Sequence, residues 1–182
     1  QNTATFDLLR NRASTAPQVD VVTIVDIDGN VVNFTRSFPP PPIKLGDRDY
    51  IQALSANPTL PLFLSVPVSN RGNGTWTFYL ARPIVTAKGR SLGYLLTGLH
   101  CAFFEDFFRK ISFSDDMAIS LFRTDGILIA RYPAREGLRG VSFAQQPVFK
   151  ELVFKNRSNE AFVTAAPRLA DDFASDKWRI VA

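Results

Sequence analysis

Residues 21–34 read VVTIVDIDGNVVNF, and residues 118–131 read AISLFRTDGILIAR. Each is an apolar run broken at Asp-Gly and followed by a second apolar run, the pattern of two strands folded about a tight turn. Gly and Asn tolerate the positive φ that such a turn requires. Asp28 and Asp125 lie 97 residues apart, and further features repeat in the same order. DRDYIQAL from Asp47 is echoed by QQPVFKEL from Gln145, LFLSVPV at 62–68 by AFVTAAP at 161–167, and Trp76 by Trp178. An ordered echo of this kind means two copies of one half-buried sheet unit.

The elements around the hairpins follow from spacing and punctuation. Phe6, Leu9 and Ala13 fall at helical intervals, giving an amphipathic helix that ends before Pro17. A hairpin spans 21–35, and Pro39 to Pro42 cannot join a sheet ladder and form an extended loop. Asp47 is an N-cap residue for a helix through Ala56, stopped by Asn57-Pro58. Strands at 62–68, 75–85 and 92–99 complete five strands around one helix. From Cys101 to Ile111 the period is helical, with Phe104, Phe107, Phe108 and Ile111 on one face. The second copy opens near Ser114, with its hairpin at 117–131 and its helix at 145–155. Only four residues follow Trp178, so this copy is expected to lack its last strand. The expected divisions are a helix at 1–16, a first lobe at 17–100, a connecting helix at 101–112 and a second lobe at 113–182.

Composition narrows the function classes. Hydrophobic residues make up 46% of the 182, with 16 Phe, enough for packed interiors. The net charge of +4 is spread without a block of like charges, so no nucleic-acid footprint is expected. Cys101, the single cysteine, can form neither an internal disulfide nor a thiolate cluster, and reads as a small buried hydrophobe. No run approaches the roughly 18 apolar residues of a membrane span. The chain opens in TATFDLLRNRA without a Met, as expected of a soluble piece of a longer protein. The N-x-S/T matches at Asn33, Asn73 and Asn156 are close to chance. Asp26-x-Asp28-Gly29 begins like a calcium loop, but its Gly is early and the distal Glu is missing. No G-x-S-x-G, P-loop or dinucleotide fingerprint occurs. No enzyme activity, cofactor or metal is expected.

The ordered set DRDYIQAL, LFLSVPVSN, GTWTFYLARPI, GRSLGYLLTGL and LFRTDGILIARYP resembles the double Cache sensor domains of bacterial membrane receptors. The resemblance implies an α+β fold in which an N-terminal helix is followed by two PAS-like lobes. Each lobe would be an antiparallel sheet with flanking helices, the second lacking its last strand. It also implies a periplasmic location on an inner-membrane protein, a homodimer through the N-terminal helix, and a small-molecule ligand in the membrane-distal lobe. A diguanylate cyclase or histidine kinase would be the cytoplasmic output. Amino-acid-binding members carry Arg-x-Trp-Tyr in the distal helix and an Asp at the end of the last distal strand. Here the helix reads Arg48-Asp49-Tyr50-Ile51, and His100 falls where the Asp would lie. The expected ligand is therefore a carboxylate-like anion.

The candidate ligand residues are Arg48, Tyr50, Ser65, Trp76, Arg82, Thr97 and His100. Arg48 offers a bidentate donor at a helix N-terminus; its bland alternative is a surface pair with Asp47 or Asp49. Trp76, Phe78, Leu80 and Arg82 alternate onto one strand face, where Arg82 reaches either a ligand or a structural partner. Ser65 and Thr97 supply hydroxyls. His100, the only histidine, stands without the clustered ligands of a metal site. The alternative function is a ligand-free dimerisation module or a surface for a periplasmic partner protein.

Overall fold

A computed structural model describes residues 2–70, 73–114, 117–146 and 149–150, together with the backbone of 161–164 and 178–181. The chain divides into two compact units, residues 1–107 and 108–182.

The first unit opens with α1 (Thr3–Ser14), whose first turn is capped by the Asn2 side chain accepting from Ala4 N. Strands β1 (Val19–Val25) and β2 (Val31–Phe34) follow, then α2 (Asp49–Ala56), β3 (Phe63–Leu64), β4 (Val68–Ser69), β5 (Trp76–Val85) and β6 (Ser91–His100). They build a six-stranded antiparallel sheet in the order β2-β1-β6-β5-β3, with β4 also on β5. The expected strand at 62–68 is two short strands. Ser65 N still donates to Tyr79 O, but Val66 and Pro67 leave the ladder between them, and Pro67 has no N–H to give it. The helix also starts later than expected: Arg48, not Asp47, is its N-cap, and no side chain caps it.

One face of this sheet packs on α2. Val21, Val25, Val31, Tyr79, Ala81, Tyr94 and Leu96 meet Tyr50, Ile51 and Leu54 there. Side chains alternate along a strand, so Thr77, Tyr79 and Ala81 share this face while Trp76, Phe78, Leu80 and Arg82 take the other. Asp49 pins α2 to the sheet edge, one carboxylate oxygen accepting from Tyr50 N and the other from Val66 N at 2.9 Å. Helix α1 lies against β1 and β2, with Phe6 5.6 Å from the Phe38 ring. Asn33 of the N-x-T match is buried on β2, beyond the reach of any surface modification.

Helix α3 (Cys101–Ile111) continues directly from β6, and Cys101 is fully buried as expected. Phe107 and Ile111 of its apolar face remain about half exposed. In the second unit β7 (Ile119–Phe122) pairs with β8 (Leu128–Tyr132), and β9 (Ala161–Thr164) pairs with β10 (Trp178–Val181). Leu128, Ile129, Ala130, Phe143 and Phe149 are buried there, with the Phe122 ring 5.6 Å from Phe143. The expected helix at 145–155 lies outside the described residues apart from its start.

The two hairpins share their main bonds to the returning loop. Gly29 O accepts from Leu45 N, and Gly126 O from Phe143 N, both at 2.8 Å. Val31 N donates to Ile43 O as Leu128 N does to Val141 O. The Asn30–Lys44 bridge corresponds to the Ile127–Ser142 bridge. Each turn glycine has positive φ, and a Cβ on either would meet the backbone nitrogen of Gly46 or Ala144 at 2.6 Å. A substitution at either turn would have to push the returning loop away. The repeat read from the sequence is therefore a repeat of backbone geometry. It also aligns Arg48 N, which donates to Leu45 O, with Gln146 N, which donates to Phe143 O. The cation at this position belongs to the first copy alone.

Candidate functional site

Between α2, the loop before it and the sheet lies a cavity of about 30 Å³. Val31, Phe34, Ile43 and Leu45 make an apolar wall, Tyr50 and Tyr79 an aromatic one, and Thr23, Arg48 and Asn70 bring polar groups. The elements fix these positions. The β1–β2 hairpin presents Thr23, Val31 and Phe34, and the loop after Pro42 folds back through the Val31–Ile43 and Gly29–Leu45 bonds. The first turn of α2 then sets Arg48 and Tyr50 over the sheet. The rings of Tyr50 and Tyr79 sit 5.2 Å apart.

Beside the cavity a polar network is built on Asp20, whose side chain is only 3% exposed. A bulge in the β1–β6 ladder, where Val19 pairs with Leu99 and Val21 with Gly98, leaves Asp20 as the extra residue. The bulge turns its carboxylate toward the Thr77–His100 pair, on the same face as the cavity. One oxygen takes an ion pair from Arg36 and lies 3.3 Å from His100 Nε2. The other accepts from Asn70 Nδ2 and from Thr77 Oγ1, each at 3.0 Å. Asn70 Nδ2 also donates to the Tyr79 hydroxyl at 3.0 Å, and Asn70 Oδ1 accepts from Arg36. Asn70 thus carries the network to the cavity wall. Arg36 lies over the Phe34 ring on the same side.

Burial, seconded by the Asp20 charge, pushes the Tyr79 hydroxyl up to about 12, against an opposing pull from Arg36 and Arg48. Tyr79 therefore keeps its proton across the physiological range. The folded value lies above the unfolded one near 10, so this stabilisation is fully present below pH 10 and is lost as pH rises through 12. The loss is about 3 kcal/mol. Denaturant titrations at pH 9 and above pH 11 should show Tyr79→Phe losing less stability than the parent chain over that interval.

The structure brings Arg48 and Tyr50 to the cavity wall and His100 to the Asp20 network. It gathers the other expected residues elsewhere. Ser65 is fully buried, but its hydroxyl donates to Val66 O at 2.7 Å and accepts from Tyr79 N at 2.8 Å, a brace between β3 and β5. Trp76, Arg82 and Thr97 lie on the sheet face away from the cavity, with Trp76 43% exposed and Thr97 paired with Leu80 and Val22. Sequence reading counted the even positions of β5 as the candidate face; the cavity takes the odd ones. It also missed Asp20, Arg36, Asn70 and Tyr79. A lone acid inside a valine-rich strand was the one available signal for Asp20.

Arg48 differs from the other cations near the site. Asp49 is spent on backbone N–H groups, and among the described residues no carboxylate pairs with the Arg48 guanidinium. An apolar chamber with this donor on its wall, and with a Tyr79 hydroxyl that accepts from Asn70 and keeps its own proton to give, has the chemistry of a small-anion receptor.

The fold is similar to that of the Cache-type extracellular sensor domains of histidine kinases and chemoreceptors. Residues 101–172 match the dCache_1-like family, described as a histidine kinase sensor domain. Among solved structures, the extracellular domain of the putative histidine kinase rpHK1S-Z16 is 25% identical, with a TM-score of 0.78 over 92% of this chain and 68% of that one. The ligand-binding domain of the Pseudomonas fluorescens chemoreceptor CtaA, in complex with L-valine, is 16% identical, with a TM-score of 0.63 over 97% and 70%. The amino-acid chemoreceptor PctC of Pseudomonas aeruginosa PAO1, in complex with GABA, is 16% identical, with a TM-score of 0.59 over 80% and 64%. No curated protein matches the chain. No helix among the described residues is long and apolar enough to cross a membrane.

Proposed function

We propose that this chain is the periplasmic sensor of a bacterial inner-membrane receptor whose output is a histidine kinase or a diguanylate cyclase. Residues 17–100 are the membrane-distal lobe, which binds a small carboxylate. Residues 113–182 are the proximal lobe, and 101–112 join the two. The observation that carries the ligand reading is Arg48, a half-buried guanidinium on a cavity wall with no carboxylate partner among the described residues. Gln146 at the matching position of the second copy supports placing the ligand in the first. Helix 1–16 is the dimerisation element: α1 buries none of its residues within the chain, and Leu8 is 57% exposed. Carboxylate binding closes Leu45, Arg48 and Tyr50 on the sheet and biases a two-state dimer.

The test is thermal shift with short carboxylates. At about 100 times its dissociation constant a ligand stabilises the native state by about 2.7 kcal/mol, a rise of several degrees. Arg48→Ala is expected to abolish that rise while leaving the ligand-free melting temperature within about 2 °C, since a half-exposed residue on a cavity wall holds little of the fold. An undiminished rise in Arg48→Ala removes Arg48 from the site.

The smallness of the cavity favours a second reading. Phe34, Tyr50 and Tyr79 occupy much of the space between helix and sheet, as in a lobe that only spaces and dimerises a receptor. A metabolite screen in which no compound raises the melting temperature would support this reading over the first.

A further inference from the structure

We infer that the site takes short carboxylates that carry no ammonium group, and that Arg36 enforces this choice; the inference rests on the anion-binding reading above. An amino acid brings a carboxylate and an ammonium into a site together. Arg48 can receive the first. The acid beside the cavity that could receive the second is Asp20, and its two oxygens already face Arg36, Asn70, Thr77 and His100. A carboxylate has about four lone-pair sites, so none is left for a ligand. An incoming ammonium would have to displace Arg36 from a buried ion pair, which is strongly unfavourable.

The remaining charge points the same way. Asp20 and Arg36 cancel, and Arg48 leaves the chamber with a net positive wall. Tyr79 feels both guanidinium groups across this space. An ammonium placed here is desolvated, repelled and without an open carboxylate to pair with. Arg36 thus occupies, from within the protein, the role that a ligand's own cation would play.

Size adds a second limit. A buried water needs roughly 10 to 15 Å³, so about 30 Å³ accommodates two or so. Acetate or propionate, with four or five non-hydrogen atoms, fills more than that space and fits only as the cavity widens around Val31 and Ile43. A longer chain would require the loop at 39–46 to move.

Isothermal calorimetry of the unmodified chain with propionate and with L-alanine, which differ by the ammonium, tests this directly. Propionate is expected to bind roughly 100-fold more tightly than alanine. Alanine binding as tightly as propionate overturns the inference while leaving the anion-binding reading intact. Silence of both, and of acetate, at millimolar concentration overturns that reading and the inference with it. Arg36→Met, which uncovers Asp20, is expected to shrink the propionate-to-alanine ratio at least tenfold. A ratio unmoved in a folded variant shows that Arg36 does not set the choice.

Discussion

Gly93→Ala is expected to unfold the first unit, or to lower its stability by at least about 3 kcal/mol. Gly93 sits in β6 at φ +143°, and a Cβ there would lie 2.1 Å from Val25 O and 3.1 Å from Asp26 Cα. Both are backbone atoms at the end of β1 and just past it, and β1 pairs with β6 and with β2 in mid-sheet. Neither can yield without parting the ladder that carries Thr23 and Val31 to the cavity. Gly89 is the matched control: it also has positive φ, but nothing lies within 4 Å of its Cβ position. Gly89→Ala should cost only the backbone penalty, about 1 kcal/mol. Chemical denaturation of the two variants checks the contrast, and equal losses would show that close approach is not what Gly93 serves.

Asp20→Ala is expected to cost about 3–5 kcal/mol, because it leaves a buried network of donors without its acceptor. Arg36 would lose its counter-charge, and Asn70 and Thr77 their shared oxygen. The melting temperature should fall by more than about 10 °C. Removing Arg36 at the same time, as in Asp20→Ala with Arg36→Met, should recover part of the loss, since an absent pair is cheaper than half of one. Losses that simply add would mean that the two groups act independently. The pair is as much a feature of the fold as of the site. It ties the start of β1 to the end of β2, to the β4–β5 edge through Asn70, and to His100 at the threshold of α3.

Much of the framework was legible in the chain. The Asp-Gly turns and flanking apolar runs located both hairpins, because turn chemistry and a period of two are properties of a few adjacent residues. The same locality placed α1, α2 and the helix after His100. The placement of Arg48 and Tyr50 at the head of α2 was legible because they follow the signals that start a helix. Trp76, Arg82 and Thr97 lie on the sheet face away from the chamber, while Ser65 is on the chamber side but holds Tyr79 N and Val66 O instead. Alternation along β5 and β6 separates two faces, but nothing local says which of them looks into the chamber. The split at Ser65–Pro67 escaped notice because a proline near a strand end is read as an edge, not as a break.

By itself the sequence determined the duplication, the element order and the cation at the head of α2, all encoded by neighbours. The tertiary structure alone decided that the chamber is small and that its acid is already taken. Asp20 meets Arg36, Asn70 and Thr77 across separations of 16, 50 and 57 residues. It does so only because a bulge turns it toward them. Whether a charge is available to a ligand depends on what has already reached it in space, and no local pattern in the chain records that.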